Sequence, residues 1–192
     1  MKVPVASHAR SNALPGWRSP ATGFEQPFEM LEACHERVLR MLALLGRLRQ
    51  HLKEQGCDDS ARQAARDVLR YFDQAAPLHH EDEERHVFPP LLAHGDAHTV
   101  ALVRRLHDEH GLMSADWAQA RQPLQALADG QAQGFGADDE ALFERFAACY
   151  ASHVEKEEQL AYPQARGLLP EDAQAAMGQE MAARRGAGRP QR

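Results

Sequence analysis

The chain has 192 residues and a formal net charge of −6, and 43% of its residues are hydrophobic against 6% aromatic. This length suits one domain with short appendages, and the acidic balance argues against nucleic-acid binding. No apolar run approaches the roughly 20 residues that span a membrane, so no membrane partner is expected. The amino-terminal region lacks a secretory signal and the three cysteines form no CxxC pair, which predicts a cytoplasmic protein.

Strong helix formers dominate residues 25–165, and the alternating β-branched patterns of strands are absent. The predicted fold class is therefore all-α, an up-down-up-down antiparallel four-helix bundle in residues 25–166. Residues 1–24, which hold several prolines and glycines, are predicted to form an irregular N-terminal arm. Residues 167–192 are predicted to form a short C-terminal helix and a flexible tail.

The first predicted helix begins near residues 25–27, where a proline suits the first turn, and ends near Gly56. The second opens at Asp58-Asp59-Ser60, residues that favour a helix cap, and runs to about Ala93. Pro77 lies inside this second helix and predicts a local kink. The first two elements are thus a pair of long helices joined by a short turn.

The third predicted helix starts near Ala97, and Pro123 is expected to kink or end it. A glycine-rich loop leads to Asp138-Asp139, which can cap a fourth helix that ends near Pro163. A last short helix is predicted over residues 171–183. Four arginines among glycines near the carboxyl terminus predict a solvated end: Arg184, Arg185, Arg189 and Arg192.

Histidine is the compositional outlier, with eleven residues against three tyrosines and two tryptophans. One pattern occurs twice, a histidine followed four residues later by a glutamate and ten residues later by a proline. On a helix the first two positions share one face, so each pair presents an imidazole and a carboxylate together. The two pairs are His80 with Glu84, and His153 with Glu157.

An alternative register of the first pair, His79 with Glu83, has the same spacing and stays open. The register of His80 is preferred because its offset to Pro90 equals the offset to Pro163 in the second copy. Spacing on the helix alone does not separate the two registers.

Two further histidines interrupt apolar stripes. His35 lies between Leu31 and Val38 in the first helix, and His110 holds the equivalent place in the third. A histidine among core residues needs a partner for its ring nitrogens. In an up-down-up-down bundle all four helices would bring these residues to one level, to within about two residues of helix rise.

Four imidazoles and two carboxylates in one layer fit two first-row metal ions, with iron, manganese or zinc favoured over calcium or magnesium. The two carboxylates would bridge the ions, as in other bundles that hold paired metals. The predicted metal ligands are His35, His80, Glu84, His110, His153 and Glu157. Candidate additional ligands are His107, His79 and Glu83.

The segment from His79 to Pro89 resembles the hemerythrin HHE cation-binding family, and the similarity covers roughly residues 27–165. The resemblance implies a four-helix bundle with two non-haem iron ions bridged by carboxylate and oxo groups, with zinc or manganese as substitutes. Members bind oxygen, sense oxygen or iron, or respond to peroxide and nitric oxide. The family's ligands fall on the same six residues.

One departure from the family concerns oxygen carriage. The oxygen-carrying members have a His-x3-His pair on the third helix, whereas His107 lies three residues before His110. Four functions therefore stay open: binding or sensing of oxygen, peroxide or nitric oxide; enzymatic consumption of peroxide; iron storage or delivery; and a structural bundle held by zinc.

Overall fold

A computed structural model describes residues 23–187. Within this range every regular element is helical and no strand occurs, so the all-α fold class is confirmed. The predicted N-terminal arm, apart from its last two residues, and the last five residues of the tail lie outside the described residues. No helix in the described range is long and apolar enough to cross a membrane.

Between residues 23 and 187, five helices follow one another. Helices α1, α3 and α5 are Pro27–Glu54, Ala97–Ala128 and Glu171–Arg184. Helices α2 and α4 are each interrupted by a π-helical turn. Helix α2 consists of Asp59–Asp82, the π turn Glu83–Val87 and Phe88–His94. Helix α4 consists of Ala137–Lys156, the π turn Glu157–Ala161 and Tyr162–Leu168.

Side-chain caps fix where two of the helices begin. The Asp58 carboxylate accepts a hydrogen bond from the backbone nitrogen of Ala61 at 2.8 Å, and Asp96 accepts one from Thr99 at 2.8 Å. Gly56 adopts a φ of 82°, which permits the turn between α1 and α2. Pro123 lies inside α3 without ending it.

The first four helices pack in a ring, α1 on α2, α2 on α3, α3 on α4 and α4 on α1. Two apolar clusters fill the interior. One joins the later half of α1 and of α3 to the earlier half of α2 and of α4. The other joins the opposite halves of these helices and adds α5.

Four histidines mark the level at which one apolar cluster gives way to the other. They are His35, His79, His110 and His153, all buried. In α1, for example, Cys34 belongs to one cluster and Val38 to the other. The fold therefore holds a polar layer between two apolar halves.

Helix α5 packs on the bundle through Met177 and Met181, which are buried. A short helix was expected here, but the arginines at its end differ from the expectation of a solvated tail. The side chains of Arg184 and Arg185 are only 15% and 17% exposed. Both guanidinium groups pair with Asp82 of α2.

Candidate metal centre

Six buried side chains converge at the polar layer, one histidine from each of the four long helices and one glutamate from each π turn. They form two groups whose potential ligand atoms lie within 4.8 Å of one another. The first group is His35, His79, Glu83 and Glu157, and the second is Glu83, His110, His153 and Glu157. Both glutamates, fully buried, belong to both groups.

The two carboxylates each turn one oxygen toward each group. Glu83 Oε1 lies 3.3 Å from Nε2 of His79, and Glu83 Oε2 lies 3.4 Å from Nε2 of His110. Glu157 Oε2 lies 3.1 Å from Nε2 of His35, while its Oε1 lies 3.0 Å from Nε2 of His153. This geometry suits carboxylates that bridge two neighbouring cations.

Three of the four imidazoles are held from behind by a further carboxylate. A glutamate accepting from Nδ1 fixes the tautomer and leaves Nε2 free to bind a cation. The pairs are His35 with Glu158 at 2.9 Å, His110 with Glu84 at 2.8 Å, and His153 with Glu109 at 3.0 Å. Glu109 is in turn held by Lys156 at 2.7 Å.

Several polar atoms of the centre have no hydrogen-bond partner within the described residues. They are Nδ1 of His79, Oε2 of Glu83 and both carboxylate oxygens of Glu157. Buried carboxylate oxygens without a donor are strongly unfavourable. A pair of cations would satisfy them, and imidazole with carboxylate is a donor set for first-row metals. The residues therefore fit two metal ions.

The buried glutamates of the centre favour positively charged groups beside them, as the pKa values of the neighbouring histidines show. Burial alone would lower the pKa of His35, but the three negatively charged glutamates around its ring, Glu157, Glu158 and Glu83, raise it to about 11. Burial would also lower the pKa of His110, but the neighbouring carboxylates, Glu83 above all, raise it to about 9. Burial would raise the pKa of Glu83, but the facing imidazoles hold it well below its usual range. The pKa of His79, in contrast, is lowered to about 3 by burial.

Both π turns begin at the shared glutamates and are followed directly by an aromatic residue and a proline. These pairs are Phe88-Pro89 and Tyr162-Pro163. A proline ring excludes the carbonyl four residues earlier and offers no N–H, so the preceding turn widens. The two halves of the site thus repeat the same local structure.

The structure favours the alternative register on α2. His79 and Glu83 lie in the cluster, on the stripe that continues from Ala76 to Val87. Glu84 is 38% exposed and reaches only the Nδ1 side of His110. The sequence preferred the His80 register, whereas the structure brings His79 and Glu83 together because the inner face of α2 carries residues 79 and 83. Which register binds metal stays a prediction.

His80 is buried but belongs to neither donor group. Its ring stacks on that of His110, with centroids 3.9 Å apart and planes 7° apart. The remaining predicted ligands, His35, His110, His153 and Glu157, are brought together. His107 is exposed and lies outside both groups. Metal binding by each of these residues stays a prediction.

Tyr162 is a site residue that the sequence analysis missed. Its buried hydroxyl donates to Glu83 Oε1 at 2.5 Å and lies 3.1 Å from Nε2 of His35. Burial and the nearby carboxylates raise the pKa of Tyr162 well above its usual value. The equivalent residue of the other half is Phe88, stacked on His110. The two donor groups therefore have different surroundings.

Comparison with known proteins agrees with this site. The sequence profile described as Hemerythrin HHE cation binding domain matches residues 26–165. The chain belongs to the hemerythrin HHE cation-binding family. It is also 34% identical over 162 residues to an uncharacterized protein of Haemophilus influenzae, across 84% of this chain and 91% of that relative. The buried histidines and glutamates thus fit the cation site that a hemerythrin HHE domain implies.

Proposed function

We propose that this hemerythrin HHE protein holds two non-haem iron ions and binds or senses oxygen, peroxide or nitric oxide. The observation that carries the proposal is that two donor groups share Glu83 and Glu157. His35 and His79 would hold one ion, and His110 and His153 the other. Each apolar cluster joins the later halves of two helices to the earlier halves of the other two, and this arrangement supports the predicted up-down-up-down antiparallel topology.

The donor count supports binding of a small ligand. Two histidines and two shared carboxylate oxygens give each ion about four protein donors of roughly six positions. Iron, when bound, supplies the change of oxidation state that oxygen and peroxide chemistry requires, which zinc lacks. The surrounding burial supports a small ligand, since Phe28, Phe88 and Tyr162 are at most 2% exposed.

A second candidate function, enzymatic consumption of peroxide, is favoured by the Tyr162 hydroxyl. An oxidising or peroxide-consuming enzyme needs an acid or base beside its metals. Tyr162 holds a proton on its hydroxyl oxygen and donates a hydrogen bond to Glu83 Oε1. The proton is thereby kept next to the first donor group.

Anaerobic reconstitution with ferrous iron, followed by optical spectra, tests both functions. We expect fast oxidation in air that vacuum does not reverse, and separate spectral changes with nitric oxide and with hydrogen peroxide. Repeated peroxide turnover that Tyr162→Phe abolishes would favour the enzyme. Spectra that none of the three molecules changes would contradict both functions and favour a structural metal site.

A further inference from the structure

Helix α5 lies beyond the matched range 26–165 and contacts α2 directly behind the first π turn. Arg185 donates to both oxygens of Asp82, at 3.1 and 2.5 Å, and Arg184 donates to the same carboxylate. Asp82 is fully buried and immediately precedes Glu83. Two guanidinium groups from outside the family domain therefore hold the residue next to a shared glutamate.

Further contacts of α5 lie on both sides of Glu83 and Glu84. Before them, Arg184 Nη1 lies 3.2 Å from Oε2 of Glu81. After them, Glu180 Oε2 lies 2.7 Å from Nε2 of His86. Glu180 also accepts from Arg184 at 2.7 Å, which links the two contacts. Helix α5 thus spans the start of the π turn from the outside.

Close apolar packing fixes the position of α5. Met177 and Met181 are buried in the cluster beneath the metal centre. Gly178 approaches the chain closely, since a Cβ atom there would lie 1.8 Å from the carbonyl oxygen of Phe24. The ring of Phe24 in turn lies 5.9 Å from the guanidinium of Arg185. This packing fixes the position of the helix end that carries the two arginines.

Electrostatics explains why the arginines matter to the turn. Asp82 is a fully buried carboxylate, and the two guanidinium groups that contact it directly compensate its negative charge. Removal of the arginines would leave a buried carboxylate without compensation, which is strongly destabilising. The position equivalent to Asp82 in the other half is Lys156, which pairs with Glu109 inside the bundle. The first π turn therefore depends on α5 in a way that the second does not.

We propose that α5 is a clasp for the metal centre, in which Arg184 and Arg185 position the π turn through Asp82. The clasp keeps the two oxygens of Glu83 directed at the two donor groups. This inference rests on the proposed two-metal function. Its consequence is that loss of the arginine pair speeds metal release while the bundle stays folded.

The test measures release of Fe²⁺ from the anaerobically loaded protein to an excess of a chromogenic chelator. The double variant Arg184→Ala/Arg185→Ala should release metal about 10- to 100-fold faster, the usual size of an effect from residues behind metal ligands. The control is Arg145→Ala, which removes an ion pair with Asp116 that is likewise held by two hydrogen bonds but lies on the surface away from the metal centre. The control should release metal at the parental rate, and circular dichroism should show equal helicity in all three proteins.

A rescue variant separates positioning from general stabilisation. Adding Asp82→Asn to the double variant removes the uncompensated charge, so release should slow toward the parental rate. Arg184→Lys/Arg185→Lys should give an intermediate rate, since lysine keeps the charge but not the two-pronged geometry. If the double variant does not fold, Arg185→Gln takes its place.

Two results would overturn the clasp. One is parental release from the double variant, and the other is no slowing by Asp82→Asn. Failure of the proposed function is distinguishable, because the parent protein itself would then retain no iron after loading.

Discussion

Glu83 and Glu84 are neighbours in the chain but occupy different environments. Glu83 is fully buried between the imidazoles of three helices, whereas Glu84 is 38% exposed. We expect Glu83→Gln to reduce metal content well below two ions per chain, because a neutral amide bridges cations poorly. Glu84→Gln should retain both ions with weaker affinity. Elemental analysis of the purified variants measures the difference.

The paired histidines provide the matching comparison. His79→Ala should lose metal, while His80→Ala, which removes another buried imidazole from the same turn, should keep it. Equal loss in both variants would mean that His80 also contributes a ligand. Loss only in His80→Ala would restore the register preferred from the sequence.

The raised pKa values of His35 and His110, about 11 and about 9, predict a pH dependence. A folded-state pKa above the unfolded value near 6.5 means that these ion pairs contribute full stability below about pH 6.5. That contribution is lost as pH rises, through about 9 for His110 and then about 11 for His35. The metal-free protein should therefore lose melting temperature as pH rises from about 8 to 10.

Metal binding should reverse this dependence. Since a metal displaces the imidazole protons, Zn²⁺ added to the metal-free protein at about pH 7.5 should release about two protons per chain. Titration in weakly buffered solution with a pH indicator measures the release. If metal uptake releases no protons, the metal does not displace protons from His35 and His110, which would contradict this prediction.

At the scale of helices, the site depends on partners that different helices supply. Glu109 of α3 accepts from His153 of α4 and is held by Lys156. Glu109→Ala should lower Zn²⁺ affinity about 10- to 100-fold in a chelator competition. Glu144→Ala, which removes an exposed glutamate paired with Arg49, should leave the affinity unchanged. An unchanged affinity in Glu109→Ala would mean that His153 needs no support.

The helices themselves were largely predictable from the sequence. The cap residues at 58–60 and the apolar stripes place the starts of α2 and α3 close to those observed. The i, i+4 spacing fits both pairs on α2, so the sequence favoured His80 with Glu84 where the structure groups His79 with Glu83. Comparing Phe88-Pro89 with Tyr162-Pro163, instead of using the second proline, would have selected His79 and Glu83.

Other parts of the site could not be predicted from local patterns. Tyr162 meets His35 and Glu83 across large sequence separations, and Glu158 meets His35 in the same way. Such contacts depend on how the helices are rotated against one another, which the apolar stripes define only approximately. The pairing of Arg184 with Asp82 was missed because a basic, glycine-containing end is typical of a solvated tail.

At the scale of the whole molecule, a polar layer divides the apolar interior in two. Several of its buried polar atoms have no partner within residues 23–187, which destabilises the metal-free bundle. A ligand at about 1,000 times its dissociation constant stabilises the folded state by about 4 kcal/mol. Chelation should therefore lower the melting temperature by on the order of 10 °C. Differential scanning calorimetry before and after metal removal measures this shift.

The predictions for the two chain ends, the location and the partners stay predictions. The irregular arm, apart from its last two residues, and the final five residues lie outside the described range. A cytoplasmic location and the absence of nucleic-acid and membrane partners also stay predictions. None of these affects the metal centre, whose six central side chains all lie between residues 35 and 157.

The metal content of the purified protein tests the central claim most directly. Two donor groups that share both glutamates predict close to two first-row ions per chain, mainly iron, by elemental analysis. Glu83→Gln/Glu157→Gln, which removes both shared carboxylates, should contain almost none. About two ions in the parent protein and loss in the variant support the paired centre. A parent protein without metal, even after anaerobic loading with ferrous iron, would contradict it.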